Sequence, residues 1–236
     1  MKDSYIFRYI IILVIIVSVL LSGAALLLQP YQQDNINNEK KMMILKAAGI
    51  HDLNSEDFDN YCEKMIVIDP QGNIIDEATS DFTKCKAFKI NLKDELYNKA
   101  NSKDFQLPIF IIDNGDEKVN VVPLQGAGLW GPIWGYLGLS SDCQTVVGAV
   151  FDHKSETPGL GAEITTEKFQ RQFSGKVIFQ DGQFVSINVQ KGGIAVLPED
   201  VQRHSVDAIS GGTITSHGVN DMIKNVLGSY LPYFNK

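Results

Sequence analysis

The sequence predicts an α+β protein: a single N-terminal transmembrane helix followed by a domain built mainly on antiparallel sheet. Three observations carry this. Residues 9–28 hold no charged side chain and are nearly all aliphatic, which matches the length a helix needs to cross a bilayer core. Further on, short apolar runs are separated by turn signals such as Asn114-Gly115-Asp116 and Asp181-Gly182. These runs follow no repeated strand–helix–strand order, which argues against a doubly wound parallel sheet.

The apolar run could instead be a cleaved signal peptide, with Ser22-Gly23-Ala24 as the cleavage site. Leu26-Leu27-Leu28 extends the run past that site and favours a retained anchor. Lys2 and Arg8 precede the run, while Lys40 and Lys41 follow it. The count is a tie, but the first pair lies closer to the membrane, so the N-terminus is expected in the cytoplasm and the bulk outside.

Residues 34–48 read as a helix stopped by Gly49. Asn54 caps a second helix through Cys62, and residues 65–68 and 74–75 form a hairpin across Pro70-Gln71-Gly72-Asn73. A helix over 92–100 and strands over 107–112 and 119–124 follow. This half shows no cluster of catalytic side chains and reads as scaffold or a surface for partner subunits. The expected division is 1–33 for the cytoplasmic N-terminus and anchor, 34–125 for an α/β scaffold, and 126–236 for a binding domain.

The second half is richer. Gly126, Gly128, Gly131, Gly135 and Gly138 surround Trp130, Trp134 and Tyr136. Such glycines admit a flat ring or another backbone, and the residues alone favour a glycine-kinked sheet edge. After a strand over 145–151, the loop over 153–161 carries His153, Lys154 and Glu156. That set is too small for a metal site, and His153 reads as a satisfied loop histidine. A helix over 165–173 is capped by Thr165 or Thr166, and residues 177–179 and 184–189 pair as a hairpin across Asp181-Gly182.

The stretch Asp207-Ala208-Ile209-Ser210-Gly211-Gly212-Thr213-Ile214-Thr215-Ser216 joins paired glycines to four hydroxyl side chains. A helix beginning near Ser216 would aim its positive end at them, which makes a place to hold a phosphate. A turn with a hydroxyl helix cap explains the same residues equally well.

Composition narrows the classes. The chain has 236 residues, 44% of them hydrophobic, and a formal net charge of -7. With no basic stripe interleaved with aromatics, nucleic acid is not an expected partner. Cys62, Cys85 and Cys143 make no CxxC pair, so no metal site is expected. Three free thiols are the simpler expectation, with a Cys62–Cys85 disulfide the alternative for an exported domain. No dinucleotide fingerprint, Walker A or GxSxG motif is expected, which argues against a dinucleotide dehydrogenase, a P-loop ATPase and an α/β-hydrolase.

Four segments together carry a family resemblance. They are the N-terminal span, Gly128-Leu129-Trp130-Gly131 with Gly135-Tyr136-Leu137, Glu156-Thr157-Pro158-Gly159-Leu160-Gly161, and residues 207–216. The chain resembles the C subunit of the sodium-translocating NADH:quinone oxidoreductases, which implies that the external domain is an FMN-binding domain. The resemblance implies FMN bound covalently by a phosphoester to Thr213, with Thr215 the next candidate. It places Trp130, Glu156, Thr157, Gly159, Leu160, Lys191, Ser210, Gly211, Gly212 and Thr215 around the cofactor. Gly212 stands where the family has alanine. No catalytic residue and no metal ligand are implied, because the flavin does the redox chemistry. The implied partners are the other subunits of the complex and a flavin transferase that uses FAD. The implied location is the bacterial inner membrane, with the main domain on the periplasmic or outer face. The G subunit of an Rnf-type electron-transport complex is the alternative, with the same covalent FMN.

Overall fold

The computed structural model describes residues 2–51 and 54–236. The chain divides into two compact units, Met1–Lys40 and Lys41–Lys236. Helix α1 spans Lys2–Ala47. The large apolar residues over 9–28 are exposed, Leu20 and Leu27 among them, and the helix is long and apolar enough to cross a membrane. Gly49 ends it with a left-handed backbone, φ +84°.

The second unit is built on one sheet. Helix α2 (Phe58–Tyr61), strands β1 (Cys62–Ile68) and β2 (Ile74–Ala78), helices α3 (Lys86–Lys89) and α4 (Leu92–Ala100), and strands β3 (Leu107–Asp113) and β4 (Lys118–Ala127) come first. Strands β5 (Pro132–Leu139) and β6 (Val146–His153), helix α5 (Glu167–Gln170), strands β7 (Phe179–Gln180), β8 (Gln183–Phe184) and β9 (Asn188–Gln190), helix α6 (Glu199–Gln202), strand β10 (Ser205–Asp207) and helix α7 (Thr213–Phe234) complete it. Strands β1 to β6 form a six-stranded sheet in the order β2-β1-β3-β4-β5-β6, with every pair antiparallel. Residue 125 lies inside β4, so strands from both sides of the expected 125/126 division share this sheet.

Both faces of the sheet are buried, with alternate residues of the same strands serving each. Met65, Val67, Phe110, Ile112, Val121 and Tyr136 face a cluster that includes Leu45 from the last turns of α1, Phe58, Phe82 and Phe88. Ile66, Ile68, Ile109, Ile111, Val122 and Leu137 face a second cluster that includes Leu92, Phe169, Phe173 and the apolar stripe of α7. Two-sided burial explains why the strands read as unbroken apolar runs.

Four local expectations change. Asn54 does open a helical segment, its backbone N–H donating to Asp57 Oδ2 at 3.0 Å, but Cys62 already belongs to β1, paired with Ile112. The expected 177–189 hairpin shrinks to β7 and β8. Val177 bridges to Thr145 instead, and β9 pairs in parallel with β10. The left-handed backbone of Ser186, φ 64°, interrupts the strand between these two uses. Gly126, Gly128 and Gly131 do have the spacing of a dinucleotide fingerprint, beginning inside the end of β4, yet they lead into β5. They lack the helix N-terminus that such a site needs. Finally, α7 begins at Thr213, three residues before the expected start.

The glycine-rich segment admits protein. A side chain at Gly138 would overlap the carbonyl oxygen of Ala47, and one at Gly126 would come within 2.7 Å of Met222 Cβ. These glycines let the end of α1 and the middle of α7 lie close against opposite faces. The three cysteines are free thiols. Burial and the neighbouring Cys85 push the Cys62 thiol well above its ordinary value. Burial and Asp142 push Cys143 up to about 12.

Candidate functional site

The three loop motifs meet at the N-terminus of α7. Residues 207–212 leave β10 and turn sharply, with Gly211 at φ +77°. Gly212 is the helix N-cap, and among the described residues no side chain caps the helix. The first intrahelical bond runs from Ser216 N–H to Gly212 C=O at 2.9 Å. The amides of residues 213–215 therefore have no acceptor within the helix, and they carry the positive end of its dipole. Thr213, the first helical residue, is exposed there.

The hydroxyls of the motif separate into two kinds. Thr215 is 1% exposed, and its Oγ1 donates to Glu156 Oε2 at 2.6 Å. Ser216 is also buried, and its Oγ accepts the Ile209 N–H at 3.0 Å. Ser210 and Thr213 are exposed. Thr215 is thus turned to the interior, with its hydroxyl engaged by Glu156. Residues 213 and 215 lie about 200° apart around a helix axis, so one faces out when the other faces in.

Glu156 also points inward. It is 5% exposed, and its Oε1 accepts the Trp130 N–H at 2.8 Å. It packs inside the site and holds two of the motifs. Its own N–H donates to His153 Nδ1 at 3.2 Å, so His153 is the satisfied loop histidine its setting suggested. Thr157 C=O receives the amides of Leu160 and Ala162, both at 3.1 Å, and shapes the loop. Gly159 adopts φ +75° there, with its N–H donating to Glu163 Oε1 at 3.1 Å.

Leu160 reaches the motif directly. A side chain at Gly211 would come within 2.7 Å of Leu160 Cδ2. A Cβ at Gly212 would lie 2.9 Å from Ile209 Cγ2 and 3.2 Å from the Leu160 carbonyl carbon. Gly212 is therefore matched to its neighbours in this chain, because an alanine methyl would have to displace a β-branched side chain.

Lys191 is exposed on the turn after β9. That turn is tied to the motif: Ala208 N–H donates to Gln190 C=O at 2.8 Å, and Ile194 N–H to Asp207 Oδ1 at 2.6 Å. Asp207 N–H in turn donates to Gln172 Oε1 at 2.8 Å. One oxygen of the motif's carboxylate thus anchors the glycine turn.

Large apolar side chains stand exposed on these same loops. Trp130 is 65% exposed and Ile214 57%, with Leu129 and Leu160 also outside the core. A cleft of about 610 Å³ opens beside the motif, lined by Gly159, Phe169, Gln172, Asp207, Ile209 and Ser210. Gln172 lies outside every motif, and Ile209, Ile214 and Leu129 lie inside motifs without being singled out as site residues. Ile214 lies next to Thr213, the one sequence signal that could have found it. Among the described residues no group of His, Cys, Asp and Glu could hold a metal ion.

An exposed hydroxyl at an uncapped helix N-terminus fits the phosphate of FMN, and the exposed Trp130, Leu160 and Ile214 fit a flat apolar ring. Fold and site thus define a flavin-binding type of domain on a chain with one N-terminal apolar helix. The family described as "FMN-binding domain" matches residues 128–228. The Na(+)-translocating NADH-quinone reductase C subunit of Vibrio anguillarum is 33% identical over 198 residues, covering 78% of this chain and 74% of that protein. Its counterpart from Haemophilus ducreyi is 32% identical over 212 residues, covering 81% and 78%. Among solved structures, the C subunit of the Parabacteroides distasonis reductase aligns with a TM-score of 0.74 at 33% identity, covering 89% of this chain and 98% of that one. Shewanella oneidensis NqrC aligns with a TM-score of 0.64 at 28% identity, covering 84% and 95%. The chain belongs to the NqrC family, the C subunits of the Na(+)-translocating NADH-quinone reductases.

Proposed function

We propose that this chain is a membrane-anchored electron-transfer subunit of a Na⁺-translocating NADH:quinone reductase, with FMN attached to Thr213 by a phosphoester. The observation that carries this reading is the division of the hydroxyls. Thr213 is exposed at the first position of α7, while Thr215 and Ser216 are buried and engaged. The flavin supplies the electron-carrying chemistry when bound.

The chain's own residues attach, orient and shield. The first-turn amides of α7 favour the phosphate's charge. Trp130, Leu160 and Ile214 offer apolar surface for the ring, and Lys191 adds a positive charge on the turn tied to Asp207. Threonine is a weak nucleophile unless activated, so attachment calls for a flavin transferase that breaks the pyrophosphate bond of FAD, moving its FMN phosphoryl to the Thr213 oxygen and releasing AMP and the hydroxyl proton. The other subunits of the complex are the electron partners. Residues 9–28 cross the bacterial inner membrane, with the main domain on the periplasmic or outer face. The name shared by the relatives above favours NqrC over the Rnf G subunit.

Coexpression with a flavin transferase tests this. The protein should give a fluorescent band on a denaturing gel under ultraviolet light, with an intact mass increased by FMN less one water. Thr213→Val should remain folded and lose both signals. Fluorescence retained by Thr213→Val would move the attachment to Ser210, the other exposed hydroxyl of the motif. A dark band from the unaltered chain would overturn the covalent reading.

A further inference from the structure

We propose that Glu156 is a positioning residue, a buried clasp that orients the first turn of α7 and so turns Thr213 outward against the turn carrying Trp130. This rests on the reading of Thr213 as the attachment point.

The geometry is that of a two-ended tie. Oε1 holds the Trp130 N–H at 2.8 Å and Oε2 holds the Thr215 hydroxyl at 2.6 Å. The neighbouring Ser155 Oγ donates to the Trp130 carbonyl at 3.0 Å, so both polar groups of the Trp130 backbone are held from the 155–156 segment. The turn is closed by Gly128 N–H donating to Gly131 C=O at 2.8 Å.

Two glycines make room for the carboxylate. A Cβ at Gly128 would lie 2.5 Å from Oε1, and one at Gly161 would overlap both Oε2 and Thr215 Oγ1. Gly128 lies in the glycine-tryptophan motif, and Gly161 closes the Glu-Thr-Pro-Gly-Leu-Gly motif. The glycines of two motifs thus serve a contact with the third.

Helix ends fray, and the first turn of α7 lacks a side-chain cap. The Thr215–Glu156 bond fixes that turn's rotation at the point where the helix itself fixes it least. Because residues 213 and 215 face opposite ways, holding Thr215 inward holds Thr213 outward. Removing one partner leaves the other buried and unsatisfied, which disfavours the closed arrangement.

The test uses the full chain coexpressed with a flavin transferase. Thr215→Val keeps the side-chain shape and removes the donor. It should slow flavin attachment on the order of tenfold, the effect of one unsatisfied buried group. It should also change the visible circular dichroism of whatever flavin does attach. Thr215→Ser keeps the hydroxyl and should load at the unaltered rate. A serine variant as impaired as the valine variant would assign the effect to packing and overturn the clasp.

Glu156→Leu removes both acceptors and should be impaired at least as much as Thr215→Val, and the double variant should be no worse than Glu156→Leu alone. Losses that multiply would overturn the linkage. Hydrogen exchange at the Trp130 amide reads the same tie with no flavin present. Thr215→Val, which does not touch Trp130, should speed it about tenfold. Unchanged exchange sinks the clasp. A chain that takes no flavin yet shows this coupling sinks only the attachment reading.

Discussion

The two faces of the central sheet are made from alternate residues of the same strands, yet they differ in what they support. The face towards Leu45, Phe58, Phe82 and Phe88 is apolar throughout and carries no part of the site. The opposite face packs α4, α5 and α7, and at its rim it buries Glu156, Thr215 and Ser216. One face contributes burial alone. The other uses burial to aim a helix end, and Glu156, Thr215 and Ser216 are tolerated there because each has a partner. A lesion on the first face should therefore act on stability alone, and a lesion at the rim of the second on attachment as well.

The largest expected effect tests the first half of that statement. Phe110→Ala empties a fully buried position and should cost about 3–5 kcal/mol of stability. Chemical denaturation would measure it. The molecules that remain folded should still take flavin at the unaltered rate. Slowed attachment in that folded fraction would show that the two faces are coupled.

A smaller effect tests the rim. Gly212→Ala places a methyl 2.9 Å from Ile209 Cγ2. It should cost about 1–3 kcal/mol by overpacking and slow attachment. Adding Ile209→Ala should recover much of the loss. Full attachment and an unchanged melting temperature in Gly212→Ala alone would mean that the loop yields freely.

The smallest effect is common to both faces. Cys62 belongs to the first cluster, while Cys143 and Tyr230 belong to the second. Burial raises all three in the folded state, Cys143 from 9.0 to about 12. These groups are neutral when protonated, so below the unfolded thiol value folding does not alter their charge. As pH climbs past about 9, the unfolded chain ionises first and stability falls. Denaturation midpoints between pH 8 and 11 should decline, and less steeply in Cys143→Ala. A flat profile would show that neither face holds its thiol protonated.

Much of this was legible in the sequence for a physical reason. Continuous apolar runs report two-sided burial, turn residues report where strands end, and an uncharged stretch of bilayer length reports a spanning helix. Helix α4 and the 107–124 hairpin stand where their residues place them. The hairpin over 177–189 was less legible, because pairing across Asp181-Gly182 is local while the pairing of Val177 with Thr145 and of β9 with β10 is not.

The sequence by itself determined the anchor, the sheet-based domain and the family motif that points to Thr213. Only the tertiary structure decided which hydroxyls face outward, what Glu156 does, and why Gly212 suits this chain. Those answers depend on contacts between segments far apart in the chain, such as Glu156 with Thr215 and Gly212 with Leu160. A motif records which residues are present. Burial and helix rotation determine which of them a ligand can reach.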